Sequence, residues 1–141
     1  MSDLWASQPV TRGRIEGAAR ELAAESEYRL IILFGSAARG DDRIEDLDIG
    51  ILADHDIDTI AVTNRLTAAL GIQNVDVTDL RHADPLLLIL AARDGVPLYD
   101  ATGNEFAKFW SLAARRFADT RKFRELEHEA IHEFLARHRK A

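Results

Sequence analysis

The run Tyr28-Arg-Leu-Ile-Ile-Leu-Phe34 is short, apolar and rich in β-formers, and Gly35 stops it. Such a run reads as a buried strand, so the rest of the chain must supply the elements that bury it. Before it, Ile15, Ala18, Ala19, Leu22 and Ala23 recur at helical spacing, which predicts an amphipathic helix over about 11–24 with Thr11 placed to cap it. After it, a charged, glycine-containing segment leads to a second strand, Leu47 to Leu52. Asp58 is placed to cap a helix with Ile60, Leu66 and Leu70 among its apolar positions, closed by Gly71. Val75 to Asp79 reads as a third strand, and Asp84-Pro85 opens a helix that runs up to Gly95, cap before proline. Val96 to Tyr99 is a short strand or extended turn.

Two further helical stripes follow, Phe106, Phe109, Trp110, Ala113 and Phe117, then Phe123, Leu126, Ala130, Ile131 and Phe134. The order gives one mixed α/β (α+β) domain over 1–141, with its core at about 10–100 and C-terminal helices at about 102–139. Core is the default reading of the aromatic stripes. Two C-terminal helices are much for so small a domain to bury, so part of this surface, Trp110 or Phe134 included, is also a candidate partner-binding face.

At 141 residues, 47% hydrophobic and 30% charged, the composition is that of a soluble globular domain. There is no cysteine, which excludes a disulfide framework and a thiolate metal site. Met1 to Gln8 lacks a signal-peptide pattern and no apolar run is long enough to span a bilayer, so a cytoplasmic protein without a membrane role is expected. A formal charge of -6 argues against nonspecific nucleic-acid binding. The acid is concentrated: Asp41, Asp42, Glu45, Asp46, Asp48, Asp54, Asp56 and Asp58 crowd one segment that holds Arg43 as its one base. Such a cluster is either a solvated loop or a cation site. Arg121, Lys122, Arg124, Arg137, Arg139 and Lys140 make the C-terminus comparatively basic.

Three features decide between those readings. Gly35-Ser36 directly follows a strand, Asp46-Leu-Asp48 opens the next, and Asp76 lies in the third. Alternation along a strand puts Asp46 and Asp48 on one face. Two carboxylates so close repel unless a cation sits between them. Asp76, between Val75 and Val77, is in an apolar setting where an unpaired carboxylate is costly, and it joins the pair if the third strand neighbours the second. Three oxygen donors on a rigid sheet suit a hard cation, usually Mg²⁺ carrying a triphosphate. Gly35 removes a side chain where backbone approaches phosphate, and Ser36 adds a hydroxyl. Arg39 either contacts phosphate or ties down the acidic loop through Asp41 or Asp42. Asp79 has the opposite parity from Asp76 and is expected to cap or to face solvent.

At these residues, Phe34-Gly-Ser-Ala-Ala-Arg-Gly40 followed by Glu45-Asp-Leu-Asp-Ile49, the chain resembles the DNA polymerase β-type nucleotidyltransferase superfamily, in particular its minimal, MNT-type members. Asn74 to Leu80, then Pro85-Leu-Leu-Leu and Gly95 to Tyr99, are similar to the continuation of those proteins. The resemblance implies a nucleotidyltransferase-like mixed sheet flanked by helices, with Asp46, Asp48 and Asp76 as catalytic, metal-binding carboxylates and Gly35 and Ser36 as the triphosphate-binding turn. It implies ATP and Mg²⁺ as donor and cofactor. It also implies an antitoxin that forms a hetero-oligomer with a HEPN-domain ribonuclease toxin and transfers AMP to one of its tyrosines. Two departures stand out: the stretch from Ser36 to Asp46 is one residue shorter than the commonest form, and Glu45 replaces a frequent serine. A non-catalytic antitoxin that acts by contact, and transfer to a small molecule, are the alternatives.

His128-Glu-Ala-Ile-His132 has the form of a zinc-protease motif, and His138 falls where a third ligand is found in extended versions. Those versions need a glycine to break the helix where this chain has Leu135. With the helix unbroken, His138 sits roughly 240° around from His132 at about 100° per residue. The pair is therefore read as part of a charged helix surface.

Overall fold

The computed structural model describes residues 10–40, 44 and 46–138. The expectations placed on 1–9, on Asp41, Asp42, Arg43, Glu45, Arg139 and Lys140, and on the side chains of Lys122, Phe123 and His138 lie outside the described residues. The elements run α1 (Arg12–Glu25), β1 (Tyr28–Phe34), β2 (Asp46–Ala53), α2 (Thr59–Leu70), β3 (Asn74–Asp79), a 3₁₀ turn (Leu80–His82), α3 (Pro85–Asp94), β4 (Val96–Asp100), α4 (Glu105–Asp119) and α5 (Arg121–His138). The Thr11 hydroxyl accepts from Arg14 N, Asp58 from Ala61 N and Asp84 from Leu87 N, so all three expected caps form.

The four strands make one mixed sheet in the order β3-β2-β1-β4. β1 is antiparallel to β2 and β4, whereas β2 and β3 are parallel, α2 forming the crossover between them. Val96 onward is thus a strand, not an extended turn, and it closes the edge beside β1. Because β1 is central, both of its faces are covered, which is why it is apolar nearly throughout. On one face Ile31, Leu33, Leu47, Ile49 and Ile51 pack under α1 and α2. On the other, Leu30, Ile32, Phe34 and Leu52 pack under α3 and α4 with Leu88, Phe109 and Ala113.

Some apolar positions expected inside are not. Ile60, at the start of α2, is 75% exposed, and Trp110 is 44% exposed. On α5, Leu126, Ile131, Phe134 and Leu135 are all more than half exposed. Phe109 and Ala113 already fill the space between α4 and the sheet, so α5 has no apolar surface left to cover. It leans on α4 through Arg124, whose guanidinium lies 3.6 Å from the Phe117 ring centroid and donates to Phe117 O at 3.0 Å. No helix among the described residues is long and apolar enough to cross a membrane.

Candidate active site

The β2–β3 register sets two of the expected carboxylates, Asp48 and Asp76, side by side. Asp48 and Asp76 are directly paired across the parallel ladder, and Asp46 pairs with Asn74 two residues further along it. Asp48 is also opposite Phe34, the last residue of β1, so the turn that begins at Gly35 starts beside its carboxylate. Gly35 has a φ of 73°, in the left-handed region, and a Cβ there would fall 2.3 Å from Asp48 Oδ2. The glycine is therefore required by Asp48 as well as by the backbone.

The turn itself is pinned from outside. Ala38 N donates to Gly35 O and Arg39 N to Ser36 O, both at 3.2 Å. Arg12 reaches across from α1 and donates to Ala37 O and Ala38 O, each at 3.3 Å. Nothing in the sequence motif points to Arg12; its role follows from α1 packing beside the turn.

Gly35, Arg39, Asp48 and Asp76 line a cavity of about 300 Å³ on the α3 side of the sheet. Phe34, Thr78, Leu87, Leu90 and Asp94 complete it. Thr78 was legible from parity, two residues past Asp76 on the same face of β3. The three α3 residues were not, because they depend on how that helix docks. Ser36, next in the chain to Gly35, and Asp46, two residues before Asp48, are not part of this lining.

Burial raises the Asp48 pKa from its ordinary value, and the charges of Asp76 and Asp46 raise it further, while Arg39 pulls it down. Arg39 is thus electrostatically coupled to the site, and its charge also helps lower the pKa of Asp94, after the Arg93 hydrogen bond as the main cause. Asp76 is exposed, not apolar in its surroundings: β3 is an edge strand, and Val75 and Val77 face the α1/α2 layer while Asp76 faces the open cavity. Three carboxylates of like charge with one nearby arginine make a site with unmet demand for positive charge. Their all-oxygen donor set suits a hard divalent cation.

Other titratable clusters have structural explanations. Asp56, Asp79 and His82 are the one group of three His or acidic side chains among the described residues whose ligand atoms lie within 4.8 Å of one another. Asp79 uses both oxygens on backbone, accepting from Arg81 N at 3.1 Å and Ile57 N at 3.3 Å, so it caps as expected. Asp56 is bonded to His82 at 2.7 Å and to Arg81. This is a lock between the β2–α2 loop and the 3₁₀ turn. His128 and His132 do share a face, with Nε2 atoms 3.0 Å apart, but they are exposed on α5 and no acidic or histidine third partner joins them among the described residues.

The chain is 29% identical over 122 residues to the protein adenylyltransferase MntA of Aphanizomenon flos-aquae (strain 2012/KM1/D3), covering 77% of this chain and 81% of that protein. A crystal structure of a toxin–antitoxin with AMP-PNP contains a similar chain, at TM-score 0.73 and 25% identity over 82% of this chain and 97% of that one. A tri-AMPylated Shewanella oneidensis HEPN toxin in complex with its MNT antitoxin gives TM-score 0.69 and 26% identity over 82% of this chain and 94% of that one. Residues 18–103 match the polymerase beta nucleotidyltransferase domain. That stretch holds all four strands, the Gly35 turn and the three carboxylates, and the chain belongs to the polymerase beta nucleotidyltransferase family.

Proposed function

We propose that the chain is an ATP- and Mg²⁺-dependent protein adenylyltransferase and the antitoxin of a HEPN-domain ribonuclease toxin, transferring AMP to a tyrosine of that toxin. The pairing of Asp48 with Asp76 beside the Gly35 turn carries this reading. The adenylyltransferase relative and the AMPylated toxin complex support the choice of acceptor.

In the reaction the tyrosine oxygen attacks the α-phosphorus of ATP, a new O–P bond forms, and the bond to the β-phosphate oxygen breaks to release pyrophosphate. Asp46, Asp48 and Asp76 would hold Mg²⁺, and the ion would supply neutralisation of the triphosphate and of the charge that develops on the leaving group. Asp76, exposed at the cavity lip, is placed to accept the tyrosine proton. Gly35 and Ser36 present backbone and hydroxyl to the triphosphate, and Arg39 adds a fixed positive charge on the same side. The chain needs no nucleophile of its own, so positioning and charge do the catalysis. The exposed apolar face of α5 is the surface we assign to toxin docking.

Intact-mass analysis of the toxin after incubation with the chain, ATP and Mg²⁺ tests this, with Asp46→Asn/Asp48→Asn as control. An AMP-sized gain in mass that the control abolishes is expected. A stable complex with no gain, in which the control still neutralises the toxin, would mean that the antitoxin acts by contact alone.

A further inference from the structure

The cavity at the carboxylates is not the larger one. A second, of about 460 Å³, opens on the same sheet face at the other end of β2, where α4 crosses Leu52 and Ala53. Asp48 and Leu52 are four residues apart, so the two cavities are separated by roughly 13 Å of strand. Leu80 closes the space between them: a Cβ on Gly50 would stand 2.8 Å from Leu80 Cδ2. The second cavity is therefore a separate compartment.

Its rim is basic in a chain whose formal charge is -6. Arg29, Arg81, Lys108, Arg115 and Arg116 all line it, with Asp54 as the one acid of the lining. Two of these cations are already held. Arg29 bonds Glu105 at 2.8 Å and Asp54 at 3.1 Å, and Arg81 bonds Asp56 and, at 2.8 Å, Asp54 O. Lys108 is only loosely engaged, 3.9 Å from Glu105. Arg115 and Arg116 are exposed and have no acidic partner among the described residues. Lys108, Leu112, Arg115 and Arg116 follow i, i+4, i+7, i+8 spacing, which lines them up on one face of α4. Leu80, Phe109 and Leu112 give the cavity an apolar floor beneath that rim.

We propose that this cavity is a second nucleotide-binding site that takes a nucleoside phosphate, with the phosphate on Arg115 and Arg116 and the base over the apolar floor. The guanidinium fork matches phosphate oxygens two at a time, and the one carboxylate of the lining, Asp54, is bonded to Arg29 rather than to Arg115 or Arg116. The volume is in the range of small-ligand sites, about 300–1,000 Å³. An apolar floor of Leu80, Phe109 and Leu112 has no use for an acidic peptide side chain but suits a base. The nucleotide is either free or the 5′ end of an RNA.

Calorimetric titration of the full-length Asp46→Asn/Asp48→Asn chain in EDTA tests this, because metal-dependent binding at the carboxylates is then removed. AMP, pyrophosphate and a 5′-phosphorylated oligoadenylate are the probes. AMP is expected to bind more tightly than pyrophosphate, and Arg115→Ala/Arg116→Ala to weaken AMP binding by at least about tenfold. Lys108→Ala, a milder second variant, is expected to weaken it less. Tighter binding of the oligoadenylate than of AMP identifies an RNA end as the source, and the reverse identifies the free nucleotide. Equal affinity of the arginine variant for AMP, equal affinity for pyrophosphate and AMP, or no binding at all would overturn the proposal.

Discussion

A Cβ placed on Gly35 would stand 2.3 Å from Asp48 Oδ2, so the turn after β1 and the central carboxylate of β2 occupy one space. The encroached atom is the tip of a side chain that can swing away, and the Asp48 Cβ, at 3.5 Å, is in ordinary contact. Gly35→Ala is therefore expected to displace the carboxylate more than to unfold the chain. The left-handed backbone adds about 1–2 kcal/mol of strain. A carboxylate shifted by an ångström costs on the order of 10²-fold in rate. Urea unfolding beside an AMP-transfer assay checks this. A variant that loses several kcal/mol of stability yet keeps its activity would show that Asp48 does not depend on the glycine.

Asp48 also sets a stability signature. Its pKa is raised, first by burial and then by Asp76 and Asp46, so the ionised form destabilises the fold. That penalty is complete above the folded pKa and vanishes as pH falls to the unfolded value near 3.8. Asp48→Asn is thus expected to melt higher than the native chain at neutral pH, with an advantage that shrinks on acidification. Mg²⁺ with a non-hydrolysable ATP analogue should raise the melting temperature of the native chain and not of the variant. A variant less stable than the native chain at pH 7 would mean that Asp48 is satisfied within the fold.

How much of this could be read from the sequence depends on how local the cause is. Thr11, Asp58 and Asp84 cap where they were expected to, because a cap is fixed by its own next few residues. The neighbouring of Asp48 and Asp76 was legible because strand parity settles faces once the two strands pair. The surroundings of Asp76 were misread: flanking valines imply an apolar setting only if the strand is interior, and β3 is an edge. Arg12, Leu87, Leu90 and Asp94 join the site through the docking of α1 and α3, which no local pattern encodes. The aromatic stripes likewise show periodicity without showing which helix reaches the sheet first; Phe109 does, and α5 is left outside.

Asp100, at the end of β4, holds the start of α4 more firmly than the formal cap residue does. Asn104 makes no side-chain capping bond. The Asp100 carboxylate instead accepts from the backbone N–H groups of Thr102, Gly103, Glu105 and Phe106, at 2.8–3.2 Å. Burial pushes its pKa up, but these four bonds outweigh burial and leave it below the usual 3.8. Its contribution is therefore complete above the unfolded pKa and is lost as pH falls through the folded one. Asp100→Ala is expected to cost about 1–2 kcal/mol at pH 7, and less in strong acid. Urea titrations at several pH values measure it; a cost that does not change with pH would assign the loss to something other than the carboxylate charge.

The face of α5 that the domain leaves uncovered carries the last expectation. Leu126 is 62% exposed, Ile131 57% and Leu135 54%, on a helix whose attachment to α4 runs through Arg124 rather than through these residues. Ile131 and Leu135 are one turn apart, so a charge at either falls within the same patch. Because neither supports the core, Ile131→Asp and Leu135→Asp should change the stability of the isolated chain by no more than about 0.5 kcal/mol. Burying an unpaired carboxylate in an interface is costly, so the same variants should weaken the toxin complex by more than tenfold. Transfer of AMP should fall through KM, with kcat retained once toxin is saturating, because the carboxylates at β2 and β3 are untouched. Native affinity for the toxin in both variants would move the docking surface elsewhere on the molecule, and loss of the isolated fold would return these residues to the core.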